Sequence, residues 1–342
     1  MAKSIPLIRA AVLGPMIRWL RTSGLPVHER LQLADLGYIS GDEPELPVPL
    51  FFVFEFFRKL AALEGPDIAA RVITENSVAD LGKFGGVILG SRTPRDALLG
   101  VVAALPRYST HELISLRPIR GGLCVQAGWS MVLDGETMHL TQQFTASVIQ
   151  RLYAATERGH ITPRSIRIRA HPAFGIEHLR PFFGVPLAIS NEATLAVDLD
   201  DDVLDAALLV GASGHEETPG EEWDFLNGGS SFSHSARLVL GPMIDEPGSS
   251  FARLARASGI SARSLQRMLT LEGTSFRQLS DELRRERALR VLLANPGVIS
   301  AAAADVGYAA QSSLSRAVRR WTGSSPKSLR PAAARRRRTD PT

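Results

Sequence analysis

One cysteine, Cys124, stands in a chain of 342 residues. A lone thiol cannot close an intramolecular disulfide or build a thiolate metal cluster, so the chain is expected in a reducing compartment, the cytoplasm. Cys124 lies in an alternating apolar run and is expected to be a small core residue. Long apolar runs are also missing: none reaches the roughly eighteen residues that a spanning helix needs, so no membrane partner is expected. The apolar start is broken by Arg9, Gly14, Pro15 and Arg18, which argues against a signal peptide. The eight histidines show no H-x-x-x-H or other helical metal spacing and read as scattered. G-x-S-x-G and Walker sequences are absent. Gly85-Gly86 and Gly228-Gly229 lack the strand and helix context of a phosphate loop. The expectation is a protein that is not an enzyme, with no metal and no cofactor.

A large net charge is lacking as well, at +4, but the small total hides a division. Residues 250–338 carry 18 Lys and Arg against 5 Asp and Glu, whereas residues 1–249 carry 21 against 29. A basic end on an acidic body is the electrostatic footprint of nucleic-acid binding.

The basic end is built as two copies of one device. In SSFARLARASGISARSLQRMLTLEG a short apolar helix stops at Gly259, and a second helix starts behind Ser261, a good N-cap. Leu265, Met268 and Leu269 fall on one side of that helix. Arg263, Gln266, Arg267 and Thr270 fall at i, i+3, i+4, i+7 on the other. Arg and Gln are the donors that major-groove edges select, Arg for guanine and Gln for adenine. The second copy, ISAAAADVGYAAQSSLSRAVRRWTG, repeats the pattern around Gly307. Leu314, Ala317, Val318 and Trp321 are expected inward and Ser312, Ser315, Arg316 and Arg319 outward, with Arg320 outside that stripe in reach of a phosphate. Between the copies Ser275 caps a helix that ends at Asn295-Pro296-Gly297. Its length of roughly 30 Å is close to the roughly 34 Å between successive major-groove faces.

SLQRMLTLEGTSFRQLSDELRRERAL, then ADVGY, SSLSRAVRRWTGSSP and SLR, resemble the double helix-turn-helix DNA-binding domain of AraC/XylS-family transcription regulators over about 95 residues. This chain has Leu314 and Val318 where the family usually has Phe, and Ala302 where a larger apolar residue is usual. The resemblance implies base contacts by Arg263, Gln266 and Arg267 in the first unit and by Gln311, Ser312 and Arg316 in the second. Arg319 and Arg320 complete the expected DNA-binding set.

Before this domain, LFFVFEFFRKLAALEG reads as a helix apolar almost all round. Its phenylalanines suit a core or the wall of an apolar ligand pocket. Thr93 and Pro94 open a further helix, and residues around Gly121-Gly122 alternate as a hairpin. His139 to Arg158 returns to helix, and SIRIRAHP, PFFGVPLAI and LAVDLD add strands. Residues 4–24 read as a helix in two pieces, interrupted at Gly14-Pro15. The class is an α+β N-terminal domain with an antiparallel sheet, plus an all-α C-terminal domain with two helix-turn-helix units joined by a long helix. DLGKFGGVILGSRTPRDAL and RPFFGVPLAISNEATLAVDLDDDVL resemble the arabinose-binding-type N-terminal domain of one branch of these regulators, which implies effector binding and homodimer formation without making arabinose the ligand.

The expected organisation is an effector and dimerisation domain at 1–210, an acidic Gly/Ser-rich linker at 211–234, the DNA-binding domain at 235–331, and a basic tail at 332–342 carrying Arg335 to Arg338. The expected partners are double-stranded promoter DNA, RNA polymerase, a small-molecule effector and a second copy of the chain. The competing reading gives the N-terminal domain only a protein-interaction role. Repair methyltransferases with a related domain need more cysteines than this chain has.

Overall fold

The computed structural model describes residues 4–158, 162–209, 226, 231–244, 250–294 and 311–326. The chain divides into two compact units, Ile5–Ser230 and Ser231–Thr342 with the first four residues.

The first unit opens with β1 (Leu7–Arg9), which pairs antiparallel with β2 (Pro47–Pro49). A 3-10 turn at Ala10–Leu13 leads into α1 (Gly14–Thr22), followed by α2 (Val27–Gln32). The expected two-piece helix over 4–24 is therefore correct only for its second piece. Gly14-Pro15 opens α1 and does not interrupt it, because proline's fixed φ and missing N–H suit a first helical turn. The apolar segment forms α3 (Leu50–Glu64), where Phe52, Phe54, Phe56 and Phe57 are buried, and α4 (Ile68–Arg71) follows. Arg58, Lys59 and Leu63 leave one exposed flank, so burial is wide but not complete. After α5 (Gly82–Leu89), Thr93 Oγ1 accepts the Asp96 N–H at 3.1 Å and α6 (Pro94–Tyr108) starts where its cap predicts.

β3 (Glu112–Ile119) and β4 (Gly122–Trp129) form the expected hairpin. Gly121 has φ +69°, and a Cβ on Gly122 would stand 2.0 Å from the Leu199 carbonyl oxygen. The turn thus needs one glycine for its conformation and the other for the approach of the neighbouring strand. Beyond the hairpin come α7 (Gly135–Ala154), β5 (Ser165–Ile168), α8 (Arg180–Phe183), β6 (Leu187–Ile189), β7 (Leu195–Asp200) and α9 (Asp201–Leu204). The sheet order is β3-β4-β7-β5-β6. It is mixed and not purely antiparallel as expected, since β5 and β6 run parallel. The short helix α8 carries the chain back so that β6 enters in the same direction as β5, a reversal that the strand patterns cannot encode. Cys124 is fully buried in β4, as expected.

Helix α7 is held by buried amides. Gln143 accepts the Ala70 N–H (2.8 Å) and donates to the Pro66 carbonyl (3.0 Å). Its neighbour Gln142 accepts the Arg169 N–H (2.8 Å) and donates to the Ala193 carbonyl (3.2 Å). Two consecutive glutamines thereby fix the helix to loops on both sides, and each buried polar atom finds a partner.

The second unit is helical among the described residues: α10 (Phe232–Met243), α11 (Phe251–Ser258), α12 (Ala262–Leu271), α13 (Phe276–Ala294) and α14 (Gln311–Thr322). Helix α10 begins at Phe232, inside the stretch read as linker. Phe232 is buried, and the Ser231 side chain accepts the His234 N–H, so this apolar residue belongs to a capped helix. Most of the remaining linker, the first helix and Gly307 turn of the second copy, Ala302 and the Arg335–Arg338 tail lie outside the described residues.

Candidate functional site

The first candidate is the exposed face of α12. Helix α11 stops at Gly259, which takes the left-handed conformation at φ 64° that a C-terminal glycine adopts without a Cβ penalty. Two residues on, the Ser261 hydroxyl accepts the Ser264 N–H at 3.2 Å and starts α12. Leu265 and Leu269 are fully buried, and Met268 is half-buried. Arg263, Gln266, Arg267 and Thr270 are all exposed on the opposite side, so the stripe has the orientation its spacing predicts. Gln266 and Thr270 are tied to each other by a 3.4 Å side-chain hydrogen bond, and the Thr270 hydroxyl donates to the Gln266 carbonyl at 2.9 Å.

Helix α13 follows behind Ser275, whose hydroxyl accepts the Gln278 N–H at 3.2 Å. Its 19 residues span about 28 Å. Near its start Phe276 meets Phe251 edge to face at 5.7 Å. Near its end Ala288 and Leu292 pack with Leu314 and Val318 of α14, flanked by Val291 and Trp321. Leu314, Ala317 and Val318 point inward as expected. Gln311, Ser312, Arg316, Arg319 and Arg320 are exposed, and Ser315 is half-buried. One rod therefore joins the body under α12 to the small core under α14.

The second candidate is a cavity of about 840 Å³, mouth included, inside the first unit. Phe54 and Phe57 of α3 form part of its wall while remaining buried, and Phe52 and Phe56 are buried without facing it. Phe54 meets Trp129 of β4 edge to face at 5.1 Å, and Phe57 meets Phe144 of α7 at 5.5 Å. On the far side Phe84 stacks on Tyr108 at 4.1 Å. The Trp129 indole N–H donates to Thr141 Oγ1 at 3.3 Å, and that hydroxyl donates to the Met138 carbonyl at 3.0 Å.

Among the described residues two ionisable groups face this cavity, Tyr108 and Glu112. They are the last residue of α6 and the first of β3. Burial pushes the Glu112 carboxyl up to about 7. Burial likewise raises the Tyr108 phenol, with the charges of Glu112 and Glu45 adding to it. Sequence reading missed Glu112 because a lone carboxylate at the start of a strand carries no motif.

The histidines are less scattered than their spacing suggests. His139 Nε2 and His178 Nε2 are 3.0 Å apart, and His139 Nδ1 lies 2.6 Å from the Arg169 carbonyl. The His171 ring lies 5.3 Å from that of His139, and its Nδ1 accepts the N–H groups of Ala173 and Phe174. Among the described residues no group of three or more His, Cys, Asp or Glu side chains is arranged to hold a metal ion. Burial lowers all three imidazoles, His139 to about 4.

Comparison with known proteins bears on the second unit. Residues 254–332 match a family described as a helix-turn-helix domain. The chain is 33% identical over 81 residues to the HTH-type transcriptional regulator VqsM of Pseudomonas aeruginosa, covering 24% of this chain and 25% of that one. It is 44% identical over 69 residues to the HTH-type transcriptional regulator VirS of Mycobacterium tuberculosis, covering 20% of each. It is 34% identical over 96 residues to the ornithine utilization regulator of Pseudomonas aeruginosa, covering 28% of each. The matches thus span between a fifth and about a quarter of these relatives. The crystal structure of the transcriptional regulator CdpR from Pseudomonas aeruginosa superposes at a TM-score of 0.41 and 17% identity, over 91% of this chain and 95% of that one, too distant to carry an argument. The AraC-type resemblance read from the sequence holds for the helix-turn-helix region.

Proposed function

We propose that the protein is a sequence-specific transcription regulator that reads double-stranded DNA with α12 and α14 and senses a small-molecule effector in its first unit. The observation that carries the DNA reading is the exposed Arg263, Gln266 and Arg267 face of α12, which has no packing duty inside a helix-turn-helix domain. Gln311, Ser312 and Arg316 are the matching readers on α14, in a second helix-turn-helix unit, with Arg319 and Arg320 gripping the backbone. The basic charge of residues 250–338 supplies the sequence-independent attraction on which base readout is superimposed. By resemblance, the protein works in the cytoplasm as a homodimer beside RNA polymerase, with the effector domain at 1–210, a linker from 211 and a basic tail beyond 331. Among the described residues no helix is long and apolar enough to cross a membrane.

Selection of duplexes from a random pool by the full-length protein tests this. Enrichment of a motif with two elements about one helical turn apart is expected. Retention of the pool without enrichment would reduce the protein to a non-specific binder. The effector reading is favoured over a purely protein-interaction role for the first unit by the cavity, because a platform needs an outer surface and gains nothing from enclosed space.

A further inference from the structure

The cavity of the first unit has walls that are informative for what they omit. Among the described residues no Lys, Arg or His lines it, so a ligand carboxylate or phosphate would find no counter-charge there. Few hydroxyls or amides line it either. Thr141 is already engaged by Trp129 and Met138, so a sugar with several hydroxyls would leave most of them unpaired in an apolar site. The body of the ligand must therefore be hydrocarbon or aromatic.

One group breaks this uniformity. The Glu112 carboxyl forms no hydrogen bond or ion pair among the described residues. Register places Glu112 directly opposite Trp129 in the β3–β4 ladder, so the two side chains leave the same face of the sheet side by side. A carboxylate beside an indole face is the pairing that holds an ammonium group, through a charge-assisted hydrogen bond on one side and the ring quadrupole on the other. Gln142 and Thr145 stand beside Glu112 and Trp129 at that end of the cavity, so what polar lining it has is gathered around the carboxyl.

We infer that the cavity binds an apolar amine, with its hydrocarbon or aromatic body among Phe54, Phe57, Phe84 and Phe144 and its ammonium on Glu112 against Trp129. This rests on the proposed effector role and names its ligand class. Burial holds the carboxyl at about 7, a penalty on its charged form that an adjacent cation would offset.

The test uses full-length protein and three probes with one body and different heads: heptylamine, heptanol and heptanoate, measured by calorimetric titration against wild type and Glu112→Gln. Wild type is expected to bind heptylamine at least about tenfold more tightly than heptanol and to ignore heptanoate. Glu112→Gln should lose that preference while keeping heptanol affinity within about twofold, which also reports that the variant is folded. Equal or tighter binding of heptanoate, or an amine affinity untouched by Glu112→Gln, would overturn the ligand class and leave the effector role standing. Failure of all three probes to bind wild type would overturn the ligand class and the effector reading of the cavity together.

Discussion

Glu272, at the C-terminal end of α12, accepts the backbone N–H of Phe232 at 2.7 Å through one carboxylate oxygen, and that of Ser233 at the same distance through the other. A side chain from the helix-turn-helix thus caps α10, forty positions earlier in the chain, where the helix dipole favours a negative charge. Burial opposes the charged form, but the hydrogen bonds from Ser233 and Phe232 outweigh it and hold the carboxyl below its ordinary value. Glu272→Gln should cost about 1 kcal/mol of stability at neutral pH. Because the folded value is depressed, this contribution is present above the ordinary carboxylate range and lost as pH falls through the folded value. Calorimetric melts of both proteins should differ at pH about 7 and converge in acid; a gap that does not narrow would show that charge is not what caps α10.

The proposed function assigns base reading to Arg267 on α12 and backbone gripping to Arg320 on α14, and the two roles can be separated. Arg267→Ala should leave the melt unchanged and cost about 1–3 kcal/mol on the selected duplex, with relaxed preference at one or two base pairs. Arg320→Ala should weaken selected and scrambled duplexes alike and reduce the salt slope by roughly one. Titration of both variants against both duplexes at several salt concentrations checks the pair. Equal losses on the two duplexes for Arg267→Ala would mean that α12 grips phosphate.

The α13–α14 contact rests on a small cluster, in which Leu314 is fully buried. Leu314→Ala should destabilise the second unit by about 2–4 kcal/mol, as removal of a buried leucine does. DNA affinity should fall with it, since α14 would no longer be held in register with α13. A variant that melts and binds like wild type would show that α14 is held by other contacts.

Acid should act on the first unit through His139. It is fully buried, and burial, helped by the neighbouring His178 and His171 and opposed by the Arg169 carbonyl, lowers it from 6.5 to about 4. Between those values the unfolded chain binds the proton and the folded chain does not, so stability is lost as pH falls through that window. The loss from this residue is roughly 1–3 kcal/mol. Glu136 and Asp67 face the cluster and favour protonation of His171 and His178 respectively, which moderates the effect. His139→Gln should flatten the fall in melting temperature between pH about 7 and about 5; identical slopes would remove His139 from the acid response.

The boundary of the second unit can be tested by truncation. A fragment beginning at Ser231 keeps the cap on α10 and the buried Phe232, whereas one beginning at Ser235 loses both. The longer fragment should be the more stable by about 2–4 kcal/mol, from the lost cap and the lost aromatic burial. Equal denaturation midpoints would return the boundary to Ser235.

The sequence by itself determined what depends on neighbours in the chain. Ser261, Ser275, Thr93 and Gly259 set helix ends through their own side chains or their lack of one, and the period of Leu265 and Leu269 fixed which way Arg263, Gln266 and Arg267 would face. The β3–β4 hairpin was legible from Gly121-Gly122 for the same reason. Tertiary structure alone decided what joins distant segments: the parallel entry of β6, the convergence of His139, His171 and His178, and the capping of Phe232 by Glu272. It also turned Phe54 and Phe57 toward a cavity and set Glu112 beside Trp129 within it. Local periodicity states how apolar a face is; whether that face meets a packed neighbour or an enclosed space is settled only when several helices and a sheet close around it.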